Sequence, residues 1–378
     1  MAPIETPTTA TPVLRPVDEF AVTFLVDNCL EWMTKLPPGF KHELPQHLFD
    51  QHPPNDAITG VPVLDFNNYC CGAHGFSALI ETQIKDSKRH LTLFDTGPDL
   101  ESIVRNARSM QVPLASIDRV ILSHWHSDHT GGLLSFLRKR GTATPPCVVD
   151  AHPNRPLARG IASSPTYETV IGQLARDPTF AQIEEAGGEV EKHAEGHVVA
   201  DGTVWVSGEI PRETAFEGGL PGGMRWVSES ESGGESESAA EGQWIHEPHI
   251  MDERYAAIDV FGKGLIIFSA CSHAGIVNVV KDAVERLSRP VYMIVGGLHL
   301  AGTDLVPRIP HTVNFLSKQL RPAPTYILPM HCSGFQAKVA LEAEFGEGCV
   351  PAGVGMKVEV LGDREADKRL SPAVFASS

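Results

Sequence analysis

Four side chains that bind cations readily lie within six positions of this chain, His124-x-His126-x-Asp128-His129. They follow a short apolar run at 120–122 and precede Thr130-Gly131-Gly132. Two histidines at i and i+2 leaving a strand project to the same side, so both imidazoles reach one cation. If the chain then turns into a helix, Asp128 and His129 swing towards a second position close by. Nitrogen and carboxylate ligands suit zinc, and iron or manganese as well, so spacing alone does not name the metal. A lone histidine is ordinarily a hydrogen-bonded polar residue; this grouping is a metal constellation. A bound cation lowers the pKa of its water from 15.7 towards about 7 and polarises a carbonyl or phosphoryl oxygen. Asp128 would bind metal and orient the hydroxide.

The elements that position these residues are legible in outline. Strand-like text occupies 21–26, 75–82, 91–94 and 120–122, then 203–207, 264–270, 291–295 and 326–328. Apolar residues at helix spacing follow at 100–107 (Leu100, Ile103, Val104, Ala107) and at 276–287 (Ile276, Val280, Val284, Leu287). Leu133, Leu134 and Leu137 read as a further helix, and another is expected near 313–320. The stretch 153–248 is less regular. Strands alternating with helices in both halves, with functional residues at strand ends, predict a layered α/β protein. One domain is expected over 17–378, after a disordered Thr- and Pro-rich segment at 1–16. An acidic Ser/Glu-rich insert at 228–242, with five glutamates and no basic residue, reads as a solvated loop.

Composition narrows the function classes. The 378 residues carry 47 acidic and 31 basic side chains, a formal net charge of −16. That balance argues against nucleic acid and anionic membranes as partners, since both select a basic face. Apolar residues at 42% supply ample core for an enzyme acting on a small molecule. No apolar run approaches the ~18 residues of a membrane span. The start of the chain lacks the basic and apolar regions of a secretory signal. Seven cysteines without regular spacing make no disulfide framework. A reducing, cytoplasmic setting is expected.

The ligand cluster with its Thr-Gly-Gly resembles the signature of the metallo-β-lactamase superfamily. LFDTG at 93–97 is similar to that superfamily's early strand, whose aspartate, here Asp95, braces the metal loop. AHGFSALIE from Ala73, SGEIPR from Ser207, CSHAGIVN from Cys271, GGLHL from Gly296 and MHCSG from Met330 are narrower. Together they resemble the dihydropterin–aminobenzene phosphate synthase-like branch, over residues 20–362 apart from the acidic insert. The resemblance implies a four-layer αβ/βα sandwich with two divalent metals in a cleft at one edge of the sheets. His124 and His126 would hold the first metal, Asp128 and His129 the second, and His331 would close the set. The superfamily's late acidic ligand falls at Cys271, where a thiolate serves equally. His273 or Glu209 is an alternative for completing the site.

Other polar residues have bland readings. Cys271 follows an apolar strand and suits a core; His273 and His299 suit a structural role beside metal ligands. Cys70, Cys71 and Cys332 read as packing residues. His152, His193, His197, His246, His249 and His311 are scattered and take no role. The chain has no GxSxG serine motif. The leading expectation is therefore a metal-dependent hydrolase that opens an amide or ester bond, a lactam or lactone above all, with His273 or His299 donating to the oxyanion. The alternative is the branch's own reaction, transfer on a phosphorylated pterin-like substrate. That reaction needs a phosphate site, for which Arg212 in SGEIPR is the basic residue at hand. A non-hydrolytic iron protein and a metal-stabilised binding module stand further off.

Overall fold

Strands with both faces covered read as continuous apolar runs rather than as alternations. Gly264–Ser269 is such a run, buried at all six positions. It sits inside a six-stranded sheet in a computed structural model that describes residues 13–141, 145–228 and 242–376. The sheet order is His197–Val199, Val204–Val206, Ala256–Val260, Gly264–Ser269, Val291–Gly297, Tyr326–Met330, the last three parallel. An eight-stranded sheet faces it, ordered Phe40–Lys41, Lys357–Leu361, Glu19–Val26, Ser77–Gln83, His90–Phe94, Arg119–Ile121, Cys147–Ala151, Gly188–Lys192. Its last four strands are also parallel.

The core lies between the sheets. Phe20, Phe24, Ile80 and Phe94 from one meet Ile258, Ile266, Phe268 and Leu328 from the other. Side chains of this kind contribute roughly 1.5–3 kcal/mol each on burial. Helices cover both outer faces. Ser102–Ser109 and Leu133–Arg140 set Ile103, Ala107, Phe136 and Leu137 against Leu93, Val120 and Val149. Ile276–Leu287 sets Val280 and Val284 against Leu265, Ile267 and Ile294. Helix, sheet, sheet, helix is the four-layer order that the resemblance implied.

Two expectations need correction. The stretch that read as irregular contains a four-stranded antiparallel sheet, ordered Gly242–His246, Gly223–Ser228, Arg159–Ala162, Val170–Gln173. These strands are short and rich in Gly, Arg and Gln, so no face carries enough apolar residues to signal period two. The helix expected near 313–320 is α-helical at Ile309–Asn314 and widens into a π-turn over Phe315–Gln319. Residues 1–12 of the Thr- and Pro-rich start and 229–241 of the acidic insert lie outside the described residues. Among the described residues no helix is long and apolar enough to cross a membrane.

Candidate metal centre

The parallel strands of both sheets end at the same edge, where crevices beyond strand carboxyl ends collect ligand-binding residues. Asp95 follows His90–Phe94, and His124 lies just beyond Arg119–Ile121. Cys271, His299 and His331 follow Gly264–Ser269, Val291–Gly297 and Tyr326–Met330. Four residues here hold backbone conformations that side chains rarely adopt: Asp95 at φ 59°, Ser272 at 58°, His299 at 46° and His331 at 44°. Strain of this kind persists only where packing over-determines it, and it concentrates at functional sites.

The histidine-rich loop forms two groups. In the first, His124 Nε2 is 3.0 Å from His126 Nδ1, and His273 Nε2 is 3.2 Å from each. Three atoms that must each donate or accept cannot form three matched pairs, so at least two lone pairs or two protons face each other. A cation at their centre removes that conflict. In the second group His129 Nε2 is 3.2 Å from Cys271 Sγ and 3.6 Å from Asp128 Oδ2, which is 3.4 Å from His331 Nε2. The buried His331 Nε2 makes no hydrogen bond among the described residues. Both donor sets therefore fit a metal ion.

Neighbouring groups orient these candidate ligands. Asp95, fully buried, accepts from His129 Nδ1 at 2.8 Å and from Ser123 Oγ at 2.6 Å. Ser123 Oγ, its proton given to Asp95, accepts from His124 Nδ1 at 2.8 Å. One carboxylate thus turns the ε-nitrogen lone pairs of two histidines inward, one in each group. Asn28 Oδ1 accepts from His331 Nδ1 at 3.0 Å with the same effect.

Electrostatics separate the two groups. Burial, reinforced by Arg159, pushes the His126 pKa down to about 3. Burial also drives His124 and His273 well below the usual imidazole range. These rings are ready ligands at neutral pH. Burial opposes charge on His129 as well, but Asp128 and Asp95 outweigh it and lift its pKa to about 9. Burial works against the Asp128 carboxylate too, yet His129 and His331 hold it well below the usual range.

Six candidates from the sequence, together with His273, are thus brought together. Glu209 is exposed and joins neither group. His299 stands beside His273, ring centroids 4.5 Å apart, and groups with Cys271 and Cys332. Cys332, read as a packing residue, lines the pocket at the centre, with its neighbours His299 and Cys271 supplied by other strands. His193 and His197, given no role, stack at 3.9 Å beside Asp150, which is already paired with Arg119 and Arg254. Arg212 donates to the carbonyls of His273 and His249 and does not line the pocket.

Sequence reasoning missed the triplet Asp252-Glu253-Arg254, every residue of which is at most 2% exposed. Asp252 accepts from the Trp125 backbone N–H, between His124 and His126, at 2.7 Å. Glu253 accepts from the backbone N–H groups of His273 and Ala274. Arg254 donates to Asp150 and to the Leu122 carbonyl. Nothing in three consecutive charged residues signals burial, which only the packed structure shows. The pocket itself, about 600 Å³, is walled on one side by the four-stranded sheet through Ile161, Ala162 and Met224.

A profile of the metallo-beta-lactamase superfamily matches residues 74–212. A 7,8-dihydropterin-6-methyl-4-(beta-D-ribofuranosyl)-aminobenzene-5'-phosphate synthase of Methanocaldococcus jannaschii is 31% identical over 285 residues, 75% of this chain and 88% of that protein. The chain belongs to the metallo-β-lactamase superfamily. Its branch is the dihydropterin–aminobenzene phosphate synthase-like one that the motifs resembled. An uncharacterized protein of the same organism, MJ0448, is 27% identical over 71% of this chain and 87% of its own length. The crystal structure of Tm1679, described as a metal-dependent hydrolase of the beta-lactamase superfamily, covers 90% of this chain and 99% of its own. Its TM-score is 0.59 at 20% identity, a likeness of fold.

The chain is thus an enzyme of the metallo-β-lactamase fold. The expectation of a lactam- or lactone-opening hydrolase does not hold: the synthase relative overturns it. That expectation rested on the ligand cluster, the absence of a serine nucleophile motif and the shortage of basic residues, and one such cluster hosts many chemistries on one scaffold.

Proposed function

We propose that the chain is a metal-dependent transferase that joins a phosphorylated dihydropterin-like substrate to an aromatic amine bearing a ribose phosphate. The carrying observation is a 600 Å³ apolar-walled pocket ending on both ligand groups, in a chain 31% identical to a synthase whose product has those parts. The reading includes two divalent cations, and the nitrogen and thiolate donors support zinc. His124, His126 and His273 would hold one; Asp128, His129, Cys271 and His331 would hold the other. Cations held there would supply Lewis acidity to an oxygen leaving group.

The chain's own groups do the rest. Ile161, Met224 and Leu305 offer apolar surface to a flat heterocycle. The amine lone pair forms the new C–N bond to the exocyclic carbon of the pterin. The bond from that carbon to a phosphate-ester oxygen breaks, its electron pair leaves on oxygen, and the amine loses one proton to solvent. Burial opposes charge on His299, but Cys332 and Glu253 outweigh it and raise its pKa, which suits a donor to the leaving oxygen.

The test supplies metal-reloaded protein with a phosphorylated dihydropterin and an aminobenzene ribofuranosyl phosphate, following products by mass. A coupled product with release of the pterin's phosphate, abolished by chelation, supports the reading. Absence of coupling, with ring opening of a lactone that takes ¹⁸O from labelled water, overturns it.

A further inference from the structure

A transferase for phosphorylated partners must recognise phosphate, and cationic side chains are scarce in this pocket. Among the described residues lining it, Arg159 is the one arginine or lysine. It is 3% exposed and already paired with Glu247 and Asp252. Arg212 is spent on two carbonyls. The net charge of −16 gives no long-range attraction either. Beyond the cations themselves, recognition falls to hydrogen-bond donors close to the metal ligands.

His74 meets that requirement. It lines the pocket, and its side chain is 70% exposed. Its ring orientation follows from Asn28. The Gly75 backbone N–H, which only donates, points at Asn28 Oδ1 at 3.3 Å, and His331 Nδ1 lies 3.0 Å from the same oxygen. That fixes the oxygen of the amide on their side. The Asn28 amide nitrogen then faces His74 Nδ1 at 3.0 Å and donates to it. With Nδ1 an acceptor, the ring N–H of His74 is at Nε2. Nε2 stands 3.8 Å from Asp128 Oδ2, beyond hydrogen-bond length. Among the described residues this N–H has no acceptor, and it faces the space in front of the Asp128 group. The Asn28 amide therefore turns the His331 lone pair towards the ligand group and the His74 N–H towards the substrate.

We infer that His74 Nε2–H recognises a phosphoryl oxygen of the substrate. This rests on the transferase reading, in which both partners carry phosphate. Two sources share that chemistry: the sugar-phosphate ester of the amine, and the phosphate on the pterin.

Calorimetry on zinc-reloaded protein separates them, with ribose 5-phosphate and inorganic pyrophosphate as probes. Wild type, His74→Gln and His74→Phe are compared, and elemental analysis follows their zinc content. Zinc content is expected to stay at the wild-type value. His74→Phe should bind at least one probe about 10- to 150-fold more weakly, the loss of one hydrogen bond to a charged acceptor. His74→Gln, which keeps an N–H donor, should fall between. A loss confined to ribose 5-phosphate assigns the ester of the amine partner; a loss confined to pyrophosphate assigns the pterin phosphate. Unchanged affinity in His74→Phe, zinc loss in parallel with probe loss, or failure of wild type to bind either probe overturns the role. If C–N coupling proceeds while affinity is unchanged in His74→Phe, the His74 role fails and the transferase stands. His74-dependent binding in a protein that forms no C–N bond leaves the His74 role and sinks the transferase.

Discussion

The buried carboxylate of Glu253 grips the turn that carries His273: Oε1 accepts from the His273 backbone N–H at 2.8 Å and Oε2 from that of Ala274 at 2.6 Å. Burial raises the Glu253 pKa, and Arg212 with these two N–H groups opposes that rise. Glu253→Gln places an amide N–H₂ against a backbone N–H in a site without water access. A loss of about 1–3 kcal/mol in stability is expected from the unmatched donors. Zinc should be lost first from the His124, His126 and His273 group. Thermal unfolding with elemental analysis checks both, and unchanged zinc affinity would remove the positioning role.

Asp95→Asn tests whether one carboxylate serves both groups. An amide cannot accept from both Ser123 Oγ and His129 Nδ1 through the oxygen that now becomes nitrogen. Metal affinity should fall about 10- to 100-fold, in both groups together. A loss limited to one equivalent of metal would separate the Ser123 path from the His129 path.

Metal loading should depend on pH in two stages. In the metal-free protein His129 holds a proton up to about pH 9. That proton must leave before Nε2 can bind a cation, so affinity of this group falls as pH drops below 9, about tenfold per unit per proton. Burial raises the Cys271 thiol and adds to the same trend. The other group has His126 at about 3 and competes with no proton at neutral pH. Zinc titration near pH 6 should fill the three-histidine group alone, and titration near pH 9 should fill both. Equal loading at both pH values would contradict this assignment.

Cys271 stands where the superfamily resemblance places an acidic ligand, and the exchange is testable. Cys271→Asp restores an anionic oxygen donor and is expected to keep the second metal equivalent. Cys271→Ala removes the donor beside His129 Nε2 and is expected to lose it. Elemental analysis after dialysis distinguishes the two, and metal retention in the alanine variant would assign Cys271 to the core.

Strands Gly223–Ser228 and Gly242–His246 pair antiparallel up to Ser228 opposite Gly242. Replacing residues 229–241 by Asn-Gly closes that register with a two-residue hairpin turn. The thermal midpoint should move little. A large fall would mean that the acidic segment packs on the fold.

The sequence by itself determined what is local. Apolar runs marked Gly264–Ser269 and Ile276–Leu287, because both periods lie within one element. His124, His126, Asp128 and His129 were legible as candidate ligands because one short turn carries all four. Their pairing, His124 with His126 and Asp128 with His129, was legible too; tertiary structure alone decided the division of His273, Cys271 and His331 between the two pairs. His273 joins His124 across 149 positions and Cys271 meets His129 across 142. That division depends on where two sheets face each other, which no window of sequence contains. The same holds for Asp252-Glu253-Arg254, whose charges look solvated in the chain. They are structural because packing of the second sheet encloses them, and buried charges must then find partners in the metal loops.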